Sequence, residues 1–297
     1  MSAPIGVFGT VVMDRFRHIM EMPKVGGYAE YHHEALQLGG EAANTAVALH
    51  RLGQSVVLRS NYVGNGQHIH PWLIENGIDV HGCPISDSPE PSCDIYLTPD
   101  GERTMFGRQL LAPDSVPWGN DIEWVSCDPN LGEASREELR RAFRQGKKTY
   151  GMDFFQPDDP YDCITIWQSS TDWWGNKGNL HDNHDAFAAF TDEYGFNGIL
   201  TAGAQGCLAG RGDALRHYPA FRIPQVVDAT GCGDCFRAGV IAGLNEGKPF
   251  EEALMLGAAV GALNATKEGA SAGAPTMLEA LQLIAEQPEI SAAYRPR

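Results

Sequence analysis

Val226-Val-Asp-Ala-Thr-Gly-Cys-Gly-Asp-Cys-Phe-Arg-Ala-Gly239 joins a strand-like Val-Val pair to a turn of small residues, and the turn to a helix predicted over 234–245. Gly247 and Pro249 stop that helix. The first turn of a helix leaves backbone N–H groups unpaired, and the helix dipole adds positive potential there. The N–H groups of Gly231, Cys232, Gly233 and Asp234 therefore predict a cradle for a phosphate oxygen. Asp234, at the same terminus, is placed to hold and deprotonate a hydroxyl beside that phosphate. From the residues alone a second reading stands beside this one. Asp is also a good helix cap, and the stretch reads equally as a capped, glycine-rich turn.

Outward from this turn, strands and helices alternate. Ile5–Phe8 reads as a short buried strand, and Gly40–Leu52 as a helix with Ala43, Val47 and Ala48 at helical spacing and Gly53 as its stop. Ser55–Ser60 follows as a β-branched strand. Ser135-Arg-Glu-Glu138 reads as a capping box opening a helix to about Gln145, with a strand over Lys148–Met152 behind it. Ile164–Trp167 and Gly198–Thr201 predict further strands, 250–266 a helix, and Thr276-Met-Leu-Glu279 a second capping box. This order predicts an α/β protein with a parallel sheet in one domain over 1–297. Residues 14–38 and 92–107 interrupt it with short β-like runs, Cys93–Leu97 and Thr104–Phe106 about a Pro99-Asp100-Gly101 turn. They predict a small separate sheet over one end of the core. Residues 168–185, polar and Trp-bearing, read as a loop.

Composition removes several function classes. With 22 Lys+Arg against 38 Asp+Glu the net charge is −16, which argues against nucleic acid or an anionic membrane as partner. A hydrophobic content of 43% is too high for a disordered chain. The 34 glycines in 297 residues exceed the usual ~7% and point to turns where backbone approaches a ligand. Seven cysteines without framework spacing, no basic region at the start and no ~20-residue apolar run predict a reduced, cytoplasmic protein.

Asp228-Ala-Thr-Gly-Cys-Gly-Asp-Cys-Phe236 closely resembles the C-terminal signature of the PfkB (ribokinase-like) carbohydrate kinase family, usually D-T-x-G-A-G-D. Gly39-Gly-Glu-Ala-Ala-Asn-Thr-Ala-Val-Ala-Leu-His-Arg-Leu-Gly53 resembles its N-terminal signature, G-G-x-x-x-N-x-A-x-x-x-x-x-L-G. The two occur in the family's order, and the similarity runs from the Ile5-Gly-Val-Phe-Gly9 strand to Gly269-Ala-Ser-Ala-Gly-Ala-Pro275. The resemblance implies a three-layer α/β/α sandwich with a β-sheet lid from about 14–38 and 92–110. It also implies ATP- and Mg²⁺-dependent phosphorylation of a hydroxymethyl group on a sugar or sugar-like substrate.

By the same resemblance, Asp234 is the catalytic base, and Gly231, Cys232 and Gly233 form the anion hole. Asp14, Gly39, Gly40 and Asn44 match positions that hold sugar hydroxyls, and Arg108 resembles an arginine that reaches substrate or phosphates. Thr201-Ala-Gly-Ala-Gln-Gly206 resembles the T-x-G-x-x-G turn beside ATP, which assigns Thr201, Gly203 and Gly206 to the nucleotide. Asn264 lies where the family lines the adenine pocket. Asp228 and Thr230, with carbonyls near Gly269 and Gly273, match a monovalent-cation site suited to K⁺. A lid that pairs between subunits in many relatives implies a homodimer.

The departures bear on substrate. Ser169-Ser-Thr-Asp172 stands where the family carries N-x-x-E, making Asp172 the carboxylate that reaches Mg²⁺ through water. The lost Asn motivates an alternative, a sugar-binding or regulatory protein of weak activity. Glu41 replaces the Lys of many ribokinases, against a ribose-like pocket. Fructose-like, amine-adducted and nucleoside substrates stay open, while the few lid cations (Arg15, Arg17, Lys24, Arg103, Arg108) argue against phosphosugars. Met152-Asp153-Phe-Phe155 resembles the family's D-x-N strand end near substrate, with Phe155 replacing Asn. Three other signals are set aside. Cys232-x-x-Cys235 lies inside the kinase turn, His68-x-His70 lacks a third ligand, and Gly6-Val-Phe-Gly9 lacks the third glycine of a dinucleotide fingerprint.

Overall fold

The computed structural model describes residues 2–99, 103–108, 110–176 and 178–296, the side chain of Arg103 excepted. The predicted Pro99–Gly101 turn thus lies largely outside the described residues. The chain begins with β1 (Ile5–Gly9), β2 (Val12–Ile19), β3 (Tyr31–Gly39), α1 (Glu41–Arg51), β4 (Val56–Ser60) and α2 (Ile69–Glu75). It continues through β5 (Ser92–Leu97), β6 (Arg103–Gly107), β7 (Trp124–Cys127), α3 (Glu133–Arg144), β8 (Lys148–Met152), β9 (Ile166–Ser170) and α4 (Leu180–Tyr194). β10 (Asn197–Thr201), β11 (Cys207–Gly210), β12 (Arg216–Tyr218), α5 (Cys232–Asn245), α6 (Phe250–Asn264), α7 (Met277–Glu286) and the short α8 (Pro288–Ser291) complete it.

Eight strands form one sheet in the order β12-β11-β10-β9-β8-β7-β1-β4, parallel from β4 to β10 and antiparallel at β11 and β12. β1 is buried along its whole length, as a strand covered on both faces must be. One apolar layer packs α1, α2, α5, α6 and α7 on the sheet through residues such as Leu49, Leu73, Ile241, Leu254 and Leu283. The other packs α3 and α4 through Leu139, Ala142 and Phe187. Each fully buried Leu or Ile contributes roughly 1.5–3 kcal/mol. The result is the expected three-layer α/β/α sandwich. The chain leaving β1 next joins this sheet at β4 on one side and that leaving β7 runs to β8 on the other, so the crevice outside the strand carboxyl ends opens between β1 and β7.

β2, β3, β5 and β6 form a second sheet in the order β3-β2-β5-β6. It springs directly from the carboxyl end of β1. Alternation turns Asp14 and Phe16 inward, whereas Arg17 on the other face pairs with Glu34 at 2.8 Å and Asp94 at 2.7 Å.

Several local expectations differ from the structure. α3 is capped by Gly132, three residues before the predicted cap Ser135. Ser135 Oγ instead accepts the Leu131 N–H, and buried Glu138 accepts the Ser115 hydroxyl, so no capping box forms there. The box at Thr276–Glu279 does form. The strand expected at 164–167 runs over 166–170, and the supposed loop 168–185 divides, among the described residues, into the end of β9, loop residues 171–176 and 178–179, and the start of α4. Within that loop Trp174 packs on Trp167 and Phe187. Val226 and Val227 form no strand; both are exposed, and Val227 N–H donates to the Ala265 carbonyl. α5 starts at Cys232, two residues earlier than predicted.

Candidate active site

The carboxyl ends of β1, β7, β8, β9 and β10 bring Thr10, Asp128, Asp153, Ser169 and Thr201 to one edge of the sheet, where α1 and α5 begin. Gly231 caps α5 with φ 68°, and a Cβ on it would lie 1.9 Å from the Ala270 carbonyl oxygen. Only glycine therefore lets the turn close here. One expectation changes: the Cys232 N–H donates to the Ala229 carbonyl at 3.3 Å. The N–H groups of Gly231, Gly233 and Asp234 are left without a partner among the described residues. The turn is anchored from the sheet, since Gln168 Nε2 donates to the Gly233 carbonyl (3.0 Å) and Tyr150 OH donates to Gln168 Oε1 (2.5 Å).

Asp234 is 4% exposed. Its Oδ2 accepts from Asn44 Nδ2 at 2.9 Å and its Oδ1 from Arg237 Nη2 at 3.0 Å. Burial raises the Asp234 carboxyl to about 6, opposed by Arg237 and the Asn44 hydrogen bond and assisted by Asp128 and Asp153. The carboxyl of Asp14 is raised to about 7 by burial and by Asp234. Gly39 is paired to the start of β2, and a Cβ there would lie 1.8 Å from Asp14 Oδ2. Gly40, the cap of α1, presents its backbone beside Thr10. Asp14, Gly39, Gly40, Asn44 and the 231–234 turn thus meet at one place.

Three more carboxylates join them: Glu41 and Asp153, noted in the sequence, and Asp128, which it did not single out. Asp128 is fully buried and accepts from Thr10 N (2.8 Å), Thr10 Oγ1 (3.3 Å) and Asn130 N (3.1 Å). Asp153 has φ 57°, a strained value for a non-glycine residue, and accepts the Ser169 hydroxyl at 2.5 Å. Glu41 accepts from Asn130 Nδ2 at 2.8 Å through Oε1, while its Oε2 is buried without a partner among the described residues. Burial, then Asp128, Asp153 and Asp234, push the Glu41 carboxyl well up. The available sequence signal was a charged residue directly after an apolar strand (Asp128) or inside an apolar helix (Arg237). Removing one partner of a buried ion pair such as Asp234–Arg237 costs about 3–5 kcal/mol.

The remaining candidates lie around this centre. Thr201 ends β10 and donates to the Ser169 carbonyl at 3.3 Å, while Gly203 and Gly206 bound a tight turn beyond it. Asn264 ends α6, fully buried, and its Nδ2 donates to the carbonyls of Thr230 (3.2 Å) and Ala270 (3.0 Å). Asp228 accepts the N–H groups of Thr230 (2.8 Å) and Gly269 (3.0 Å). Asp172 is exposed in the loop after β9. Arg108 is exposed just beyond β6, and its side chain is not among the groups gathered at Asp234.

Among the described residues no group of three or more His, Cys, Asp or Glu could hold a metal. His68 is explained locally, pairing with Glu90 at 2.7 Å, and all seven cysteines are free. No helix among the described residues is long and apolar enough to cross a membrane.

Residues 5–110 and 170–277 match the family described as pfkB family carbohydrate kinase. The chain belongs to that family and is an ATP-dependent carbohydrate kinase. Fructokinase-1 of Oryza sativa subsp. japonica is 36% identical, covering 83% of this chain and 88% of its own length. An uncharacterized sugar kinase of Dictyostelium discoideum is 28% identical, covering 92% and 95%. In fold, the chain matches the crystal structure of ribokinase from Cryptococcus neoformans var. grubii serotype A in complex with ADP. The TM-score is 0.83 at 22% identity, covering 95% of this chain and 99% of that one.

Proposed function

We propose that this kinase transfers the γ-phosphoryl group of ATP to a hydroxymethyl group of a neutral or cationic sugar-like substrate, with Asp234 as general base. The observation that carries this reading is Asp234 itself. It is a buried carboxylate at the start of α5, beside the free N–H groups of Gly231 and Gly233 and bonded to Asn44. Asp234 takes the proton of the acceptor hydroxyl. The new O–P bond forms as the bond from the γ-phosphorus to its bridging oxygen breaks, and ADP leaves. The 231–234 turn stabilises charge on the transferring group, which is most of what phosphoryl transfer asks of a protein. Asp14, Gly39, Gly40 and Asn44 orient the sugar, with Arg108 as a further contact at the lid edge. Thr201, Gly203 and Gly206 line the nucleotide side, and Asn264, fully buried, supports it from behind by holding the carbonyls of Thr230 and Ala270. Asp172 would hold Mg²⁺ through water, and that ion supplies neutralisation of the triphosphate when bound. A monovalent cation near Asp228 and Thr230 would be held by Asp228, whose oxygens each accept one N–H and keep a second lone pair, together with backbone carbonyls.

In this reading the four-stranded sheet is a lid that excludes water from the one kinase domain. Its outer face, where Tyr31, Leu36 and Phe106 are exposed, supports pairing with a second copy. Substrate charge follows from the pocket. Asp14, Glu41, Asp128, Asp153 and Asp234 converge, and Glu41 Oε2 awaits a donor. ADP release is therefore expected with neutral or amine-bearing sugars, with kcat/KM at least ~10-fold lower for phosphorylated sugars, since like charges disfavour binding. A coupled assay over sugars, sugar phosphates and nucleosides checks this, and a phosphosugar as best substrate would refute it. A pH profile adds a second check. The base must be ionised, so kcat/KM is expected to hold above and fall below pH about 6, the value to which burial raises Asp234. Activity rising steadily as pH falls through that value would contradict the assignment.

A further inference from the structure

Arg237 lies on the same face of α5 as Asp234, one turn further along, and is 1% exposed. Its Nη2 donates to Asp234 Oδ1 (3.0 Å), to Thr45 Oγ1 (2.6 Å) and to the Glu41 carbonyl (3.0 Å). Its Nε donates to Thr45 Oγ1 at 3.0 Å. The guanidinium is thus clamped between α1 and α5, with Thr45 itself fixed by donating to the Glu41 carbonyl at 2.8 Å. A buried, always-charged fork with this many fixed partners has one orientation. We propose that Arg237 is a positioning residue for phosphoryl transfer. It fixes one carboxylate oxygen of Asp234 so that the other, bonded to Asn44, faces the acceptor hydroxyl.

The surroundings explain why a cation is needed there. Asp14 faces Asp234 from β2, Glu41 from α1, Asp128 from the end of β7 and Asp153 from the end of β8, while Cys232 lies two residues before it on α5. Burial and these acids each favour the protonated form of Asp234, which cannot act as a base. Arg237 opposes them and is itself faced by Glu41, Asp128 and Tyr150. It therefore holds the carboxylate both in place and in charge.

The inference rests on Asp234 being the base, and three variants separate the two. Arg237→Gln is expected to move the acidic limb of the kcat/KM profile upward by about one pH unit, the size of effect a nearby opposite charge exerts. The KM for ATP should change less than ~3-fold, since the arginine touches no nucleotide-side residue. Arg237→Lys, which keeps the charge without the fork, should leave the limb near its wild-type position while kcat falls. A merely structural role would lower the folded fraction and leave the limb unmoved. Should the Gln variant fail to fold, Thr45→Val keeps the arginine's charge without its hydroxyl anchor, so kcat is expected to fall with the limb in place, and an unchanged kcat overturns the proposal. For Arg237→Gln an upward limb supports the proposal, and an unmoved limb in the folded variant overturns it. If Asp234→Asn keeps wild-type turnover, the base assignment itself fails. If Asp234→Asn is inactive and the limb of the arginine variant stays in place, only the role of Arg237 fails.

Discussion

Asp234→Asn is expected to lower kcat by roughly 10²–10⁴-fold, the span for loss of a positioned general base. The substitution keeps shape and removes the proton acceptor. The side chain is almost fully enclosed between Asn44 and Arg237, so a substitute base would have to come from a neighbouring carboxylate. Asp14, raised to about 7 by burial and by Asp234, is a poor replacement because part of it is neutral near pH 7. ATP should still bind, because the free N–H groups of Gly231 and Gly233 remain. Steady-state turnover with nucleotide titration checks both parts. Turnover within a few-fold of wild type would remove Asp234 from the chemistry.

Gly231→Ala is expected to lower kcat by about 10²-fold, near the effect of deleting one donor from an oxyanion site. The reason is backbone and not charge. At φ 68° a Cβ would meet the Ala270 carbonyl oxygen at 1.9 Å, and neither the carbonyl nor the cap of α5 can yield without moving the N–H groups of the turn. Gly203→Ala supplies the comparison, because its φ is also positive at 51° but a Cβ there meets nothing within 4 Å. It should cost far less activity. Turnover and thermal melting of both variants test this, and equal losses in the two would contradict it.

Both halves of the site were legible in the sequence where chemistry demands glycine or a short polar residue at a fixed spacing. Gly231-Cys-Gly-Asp234 and Gly39-Gly40 with Asn44 announce turns that no other residues can make, and the structure brings them together. What escaped is what depends on long-range pairing. β7 is four consecutive buried residues, Trp124–Cys127, without alternation, so period alone does not reveal it, and Asp128 at its end went unnoticed with it. Arg237 reads as an isolated polar residue in a helix until Thr45 and Glu41 are seen across the interface. Gln168 looked like loop because its partners, Tyr150 and Gly233, are remote in sequence. The box at Ser135–Glu138 was misread because both side chains are claimed by tertiary partners, Leu131 and Ser115, instead of by each other.

The central claim is phosphoryl transfer to a hydroxymethyl oxygen. It is tested most directly by ³¹P NMR of the product formed from ATP and the best sugar of the panel. A phosphomonoester coupled to two methylene protons, formed one-for-one with ADP, is the predicted result. Saturable sugar binding without any ester, or an ester on a ring carbon bearing one proton, would contradict it.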